Sequence, residues 1–152
     1  MLKWTNPVND INYNEIHRTE FESSRFSDGN KRCRIEVFAD NPSLIGYAEK
    51  CITAFESISD EAFDRILSGL AAAFRESCID KGQGFSNERK VLSVCRSVTM
   101  YVCVPSDDSI LLYVLECKGD GAKSGFVMLE DSPVYIGKDY FQKYRLYKEK
   151  HQ

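Results

Sequence analysis

The residues best suited to covalent or metal chemistry are six cysteines (Cys33, Cys51, Cys78, Cys95, Cys103 and Cys117) and two histidines, His17 and His151. A thiol or hydroxyl nucleophile needs a base beside it and a third group to orient that base. His151 is the penultimate residue, where chain ends fray. His17 lies between Glu15 and Glu20, so a thiol-dependent hydrolase would pair it with Cys117 or Cys103. A solvated histidine is the simpler reading of one imidazole in a polar segment. No two cysteines form a CxxC pair, and two histidines leave a zinc site little to build with. The sequence therefore predicts no catalytic group, no metal and no cofactor, and it predicts buried structural thiols.

Two further stretches resemble ligand loops without their physics. Gly119-Asp120-Gly121-Ala122-Lys123-Ser124-Gly125 lacks the GxxxxGK[ST] order. Its setting is strand-to-strand, with no following helix N-terminus to hold a phosphate, so it is expected to be a flexible hairpin loop. Asp107-Asp108 lacks the spaced oxygen ligands of a calcium loop and fits a turn. The tail from Lys138 to Lys150 carries five basic and two acidic residues interleaved with Tyr140, Phe141, Tyr144 and Tyr147. Basic residues among aromatics suit single-stranded nucleic acid. The spacing of positions 140, 144 and 147 more simply gives one side of a terminal helix docked on the domain.

The elements that would position these groups follow from hydrophobic period and turn chemistry. Strands are expected at Ile11–Ile16 and Lys31–Phe38, joined by Ser27-Asp28-Gly29-Asn30. The polar segment from His17 to Glu22 between them fits an edge strand or a loop. Cys33, Ile35 and Val37 alternate with Arg32, Arg34 and Glu36, the pattern of a strand with one wet face. A helix should open at Asn41-Pro42 and bury Leu44, Tyr47, Ala48, Cys51, Ile52, Phe55 and Ile58. Ser59 caps a second helix with Phe63, Ile66, Leu67, Leu70, Phe74 and Cys78 on its apolar stripe, ending at Gly82 and Gly84. Val91–Cys95 suits either a helix or a strand. Beyond it, Val98, Met100, Val102 and Val104 alternate, and Ile110–Leu115 is apolar on both faces, as in a central strand covered from both sides. Phe126–Leu129 and Val134–Ile136 complete the set. The order β-β-α-α-β-β-β-β implies an α+β domain: a mostly antiparallel sheet with a helix pair on one face.

Composition sets the outer bounds. A chain of 152 residues with 43% hydrophobic and 28% charged residues fits one domain, 1–152, with the basic aromatic tail at 138–152. A net charge of −3 argues against a general nucleic-acid binder. The charge is uneven: residues 1–80 carry nine Lys and Arg against fourteen Asp and Glu, and residues 81–152 carry eleven against nine. Neither a signal-peptide run nor a membrane-spanning stretch is evident, so a cytoplasmic location and reduced thiols are expected.

The segments Tyr113-Val114-Leu115-Glu116-Cys117-Lys118-Gly119-Asp120, Gly125-Phe126 and Pro133-Val134-Tyr135-Ile136-Gly137 resemble small α/β immunity or antitoxin proteins encoded beside bacterial polymorphic-toxin genes. The helix opening Asp40-Asn41-Pro42 with Tyr47-Ala48-Glu49-Lys50-Cys51 is similar as well. Such relatives often carry Trp-Glu and Glu-His-Gly in the connection where this chain has Gly121-Ala122-Lys123-Ser124-Gly125, so nothing attached to that patch carries over. The resemblance implies a non-enzymatic protein that neutralises a cognate toxin by direct binding, with no membrane and no nucleic-acid partner. Glu116, Asp120, Glu130, Asp131 and Tyr135 are the expected partner-binding residues.

Overall fold

The structure, a computed structural model, describes residues 2–8, 16–28, 31–39, 44–77, 95, 97–103, 109–119 and 122–150. Strands β1 (Thr5–Val8), β2 (Ile16–Asp28) and β3 (Lys31–Ala39) precede helices α1 (Ile45–Glu56) and α2 (Asp60–Ser77). Strands β4 (Ser97–Val102), β5 (Leu112–Gly119), β6 (Ala122–Leu129) and β7 (Ser132–Gly137) follow, and helix α3 (Tyr140–Lys150) comes last. All seven strands lie side by side in chain order in one sheet. Every neighbouring pair is antiparallel except β3 and β4. A parallel pair cannot be joined by a tight turn, and the α1–α2 pair supplies the crossover. The domain is α+β, as the residue pattern predicts.

The α1–α2 side of the sheet holds the main core. Ile35, Val37 and Ala39 of β3, Val98, Met100 and Val102 of β4, and Tyr113, Leu115 and Cys117 of β5 face the buried stripes of both helices. A phenylalanine cluster fills its centre: Phe26 lies 5.6 to 6.2 Å, ring to ring, from Phe55, Phe63 and Phe126. Burying side chains of this size contributes about 1.5–3 kcal/mol each. Ser59 caps α2 as expected, its hydroxyl accepting the Ala62 N–H at 3.1 Å.

On the opposite side, Leu112 and Val114 of β5 and Val127 of β6 form a second cluster with Tyr140 and Tyr144 of α3. This second layer explains why residues 112–115 have no polar side. The terminal helix is present at the expected place, with Tyr140 and Tyr144 buried and Tyr147 packed at its margin.

Several boundaries differ from expectation. β1 adds an outer strand that the alternation did not signal; its Pro7 suits an edge, where one face of the backbone needs no partner. The first expected strand falls mostly outside the described residues, and the polar segment after it forms β2. Helix α1 begins at Ile45, with Leu44 in the cap position, while Asn41-Pro42 lie outside the described residues. So do Cys78, Gly82, Gly84, Val104, Asp107-Asp108 and Val91–Val94, Cys95 itself lying outside any element. The expected loop Gly119–Gly125 is mostly strand. Lys118 pairs with Lys123 and Gly119 with Ala122, because extending the ladder satisfies backbone groups that a loop would leave to water.

Candidate functional site

The side chains of β2 and β3 that point away from the main core build an open surface. Arg18, Glu20 and Glu22 of β2 lie opposite Phe38, Glu36 and Arg34 of β3, respectively. Glu20 and Glu36 are thus like charges directly across from one another, an arrangement that repels unless neutralised. Arg34 approaches Glu20 at 3.3 Å and Arg18 approaches Glu36 at 3.9 Å, so the two arginines brace the acidic pair along its diagonals. The Arg34 side chain keeps 68% of its surface in solvent and Glu20 keeps 40%. α3 packs on β5, β6 and β7, which leaves this half of the face open.

The border between the open and covered halves is aromatic. Phe38 stacks on Tyr101 at 5.6 Å, and Tyr101 meets Phe141 of α3 edge-on at 5.1 Å. All three rings are half-buried. Burial pushes the Tyr101 hydroxyl up, and the carboxylates of Glu116 and Glu36 add to the shift. At the outer margin, Glu20, Phe21, Glu22 and Arg34 line a depression of about 320 Å³.

The expected binding residues are scattered. Glu116 is only 4% exposed, and Tyr140 donates to its Oε2 at 2.5 Å while the Lys118 ammonium lies 3.3 Å from Oε1. It is a fixed group beneath α3, because the terminal helix folds back over β5. Tyr135 is half-buried beside the same helix. Its hydroxyl accepts the Asp139 N–H at 3.1 Å, and the Lys143 ammonium sits 5.7 Å from its ring centre.

Glu130 and Asp131 are exposed at the β6–β7 turn. Gly125 marks the Glu116 row on β6, so the turn lies at least four residues away, roughly 13 Å along the strand. Glu130 adopts φ 59°, unusual for a side chain of its kind. Three hydrogen bonds hold it there: Oε1 accepts the Leu111 N–H, its own N–H donates to the Leu111 carbonyl, and its carbonyl accepts the Tyr113 hydroxyl. Its main contacts are therefore structural. Asp120 lies outside the described residues.

The thiols and the imidazole are also apart. Cys117 lies opposite Val98, Val98 opposite Ile35, and Ile35 opposite Phe21, with His17 four residues further along β2. That separation is on the order of 14 Å across the strands and 13 Å along them. Cys103 follows Val102, whose row passes through Ala39 to His17, but its side chain joins the cluster on the α3 side. His17 shares the Ala39 side of the sheet, so neither thiol meets the imidazole. Cys51 and Cys117 are buried, and burial pushes the Cys51 thiol up, with Glu130 adding to the shift. Among the described residues, no group of three or more His, Cys, Asp or Glu is placed to hold a metal ion. No helix among them is long and apolar enough to cross a membrane.

Sequence reasoning placed Arg34 and Glu36 on a wet face but missed the site they form with Arg18, Glu20 and Phe38. Only the β2–β3 register and the reach of α3 bring these residues together. Compared with known proteins, the chain matches no family model, no curated protein and no solved structure.

Proposed function

We propose that the protein is a non-enzymatic protein-binding module, an immunity-type factor that acts in the bacterial cytoplasm by covering the active surface of a cognate toxin. One observation carries the binding reading. A firmly built sheet leaves half of one face open, and that half combines arginine, carboxylate and half-buried aromatic side chains. Aromatic and arginine anchors within a polar surround are the composition of energetic centres in protein interfaces. The toxin assignment rests on the sequence resemblance, which supplies the class of partner. Glu130 and Asp131, exposed at the β6–β7 turn, would lie at a second contact or outside the interface.

Co-expression with the protein encoded immediately upstream tests the assignment. A stable complex that relieves that protein's toxicity is expected. Failure to form a complex, with toxicity unchanged, would refute it.

A further inference from the structure

Helix α3 and the two residues before it carry five cations, Lys138, Lys143, Arg145, Lys148 and Lys150, against two carboxylates, Asp139 and Glu149. Among the described residues none of these five cations is held in an ion pair, whereas Arg18, Arg34 and Lys118 all are. Two of the five are fixed on aromatic rings instead. The Lys143 ammonium lies 5.7 Å from the Tyr135 ring centre and the Lys150 ammonium 5.9 Å from that of Tyr147, within the roughly 6 Å reach of a cation–π contact. Positions 143, 146, 147 and 150 follow the i, i+3, i+4, i+7 spacing and so share one stripe of the helix. With Glu149 they line a depression of about 520 Å³. Leu146, 49% exposed, is the exposed large apolar side chain among the described residues, and it lies in that depression.

The neighbouring carboxylates leave the stripe basic. Asp139 stands one turn before Lys143, whose ammonium is turned onto Tyr135. Glu130 and Asp131 of the β6–β7 turn direct an oxygen to the Leu111 N–H and the Ser132 hydroxyl, respectively. Glu149 is the one carboxylate in the wall of the depression, facing Lys143 and Lys150.

We propose that this stripe of α3 binds a short acidic segment of a partner protein. An apolar side chain of the segment rests on Leu146 and Tyr147, and its carboxylates meet Lys143 and Lys150. Unpaired cations select an anion, and Leu146 selects one with an apolar residue beside its carboxylates. Holding the two ammonium groups on tyrosine rings lowers the cost of ordering them on binding. Nucleic acid fits less well, because Lys143 and Lys150 each cover a ring face on which a base would stack. The net charge of −3 also opposes a long polyanion, while a short segment senses charges within a Debye length, about 8 Å at physiological salt. The surface is separate from the open half-face, since α3 lies over β5, β6 and β7.

The probe is a seven-residue peptide with a central leucine between two runs of three glutamates, titrated into the full chain at low salt and followed by backbone amide NMR. Saturable shifts along residues 143–150 are expected, weakening as salt is raised. Lys143→Gln and Lys150→Gln should each weaken binding about threefold, and Glu149→Gln should tighten it by a similar factor, from the worth of one exposed charge pair. Alanine in place of the peptide's leucine should weaken binding about threefold, from the apolar area lost. Binding by all three variants equal to the parent's, or the same shifts from a peptide with lysines for glutamates, overturns the assignment. So does tighter binding of a six-nucleotide oligothymidylate at the same residues, which would make the stripe a nucleic-acid site. The peptide comparisons need no variant and hold even if a substitution disturbs α3. The binding reading above is tested separately, by the complex with the upstream-encoded protein.

Discussion

Tyr140 on α3 donates its hydroxyl hydrogen bond to the buried carboxylate of Glu116 on β5, tying the terminal helix to the middle of the sheet. Lys118 approaches the other carboxylate oxygen from the solvent side at 3.3 Å. A buried carboxylate is tolerated when both oxygens have partners, and it becomes costly when one partner is removed. Tyr140→Phe should therefore destabilise the protein by about 1–3 kcal/mol in urea denaturation. In a double-mutant cycle with Glu116→Gln, the two effects should fall short of additivity. Additive effects would show that the contact carries no coupling.

Gly125 lets that helix lie close. A Cβ there would come 2.5 Å from the Leu115 carbonyl oxygen and 2.6 Å from the Tyr140 ring. The carbonyl belongs to the β5–β6 ladder and cannot move without breaking it. Gly125→Ala should cost about 1–3 kcal/mol, the range for overpacking a filled core, and should loosen α3 first. The measurement is urea denaturation followed at α3 by hydrogen exchange. Unchanged stability would mean that the helix has slack against the sheet.

Two tyrosines from opposite sides of the sheet fasten the backbone at the end of β4 and the start of β5. From α1, the Tyr47 hydroxyl donates to the Ile110 carbonyl at 2.6 Å and accepts the Leu112 N–H at 2.8 Å. From α3, the Tyr144 hydroxyl donates to the Cys103 carbonyl at 3.2 Å and accepts the Cys103 N–H at 2.7 Å. Each phenol replaces ladder partners at a strand end. Tyr47→Phe or Tyr144→Phe should cost about 1–3 kcal/mol by stranding partly or fully buried backbone groups. Faster amide exchange is expected at Leu112 in the first variant and at Cys103 in the second.

Alkali should unfold the domain through its phenols. Burial pushes the hydroxyls of Tyr113, Tyr140 and Tyr144 upward, reinforced at Tyr140 by the hydrogen bond to Glu116. An unfolded tyrosine ionises at about 10. A phenol whose folded value lies above that retains its full contribution at lower pH and loses it as pH rises toward the folded value. Stability should therefore hold from neutral pH to about 9 and decline above about 10. The phenolate absorbance of these buried rings should appear together with the loss of circular dichroism. Independent ionisation of all tyrosines in a still-folded protein would contradict this.

How much of this was legible in the residues depends on the range of the interaction. Local signals carried well: the Ser59 cap, the α1 and α2 stripes, and the alternation of Val98, Met100 and Val102 all stand where period and capping predict. The apolar run at 112–115 foretold a second covering layer, and the tyrosine spacing of the tail foretold the helix that provides it. The burial of Glu116 is not legible locally, because nothing near it in sequence announces Tyr140, which lies 24 residues later. The open face escaped notice for the same reason. Arg18 and Glu36 come together only through strand register, and register is a tertiary property that two polar, alternating strands specify weakly.

Hydrogen exchange on the complex with the upstream-encoded protein, compared with the free domain, tests the central claim most directly. The account predicts that residues 18–22 of β2 and 34–38 of β3 gain protection on binding, together with the Tyr101 border, while the buried α1–α2 core is unchanged. Protection confined to another surface, or no change anywhere under conditions where the two proteins are saturating, would contradict it.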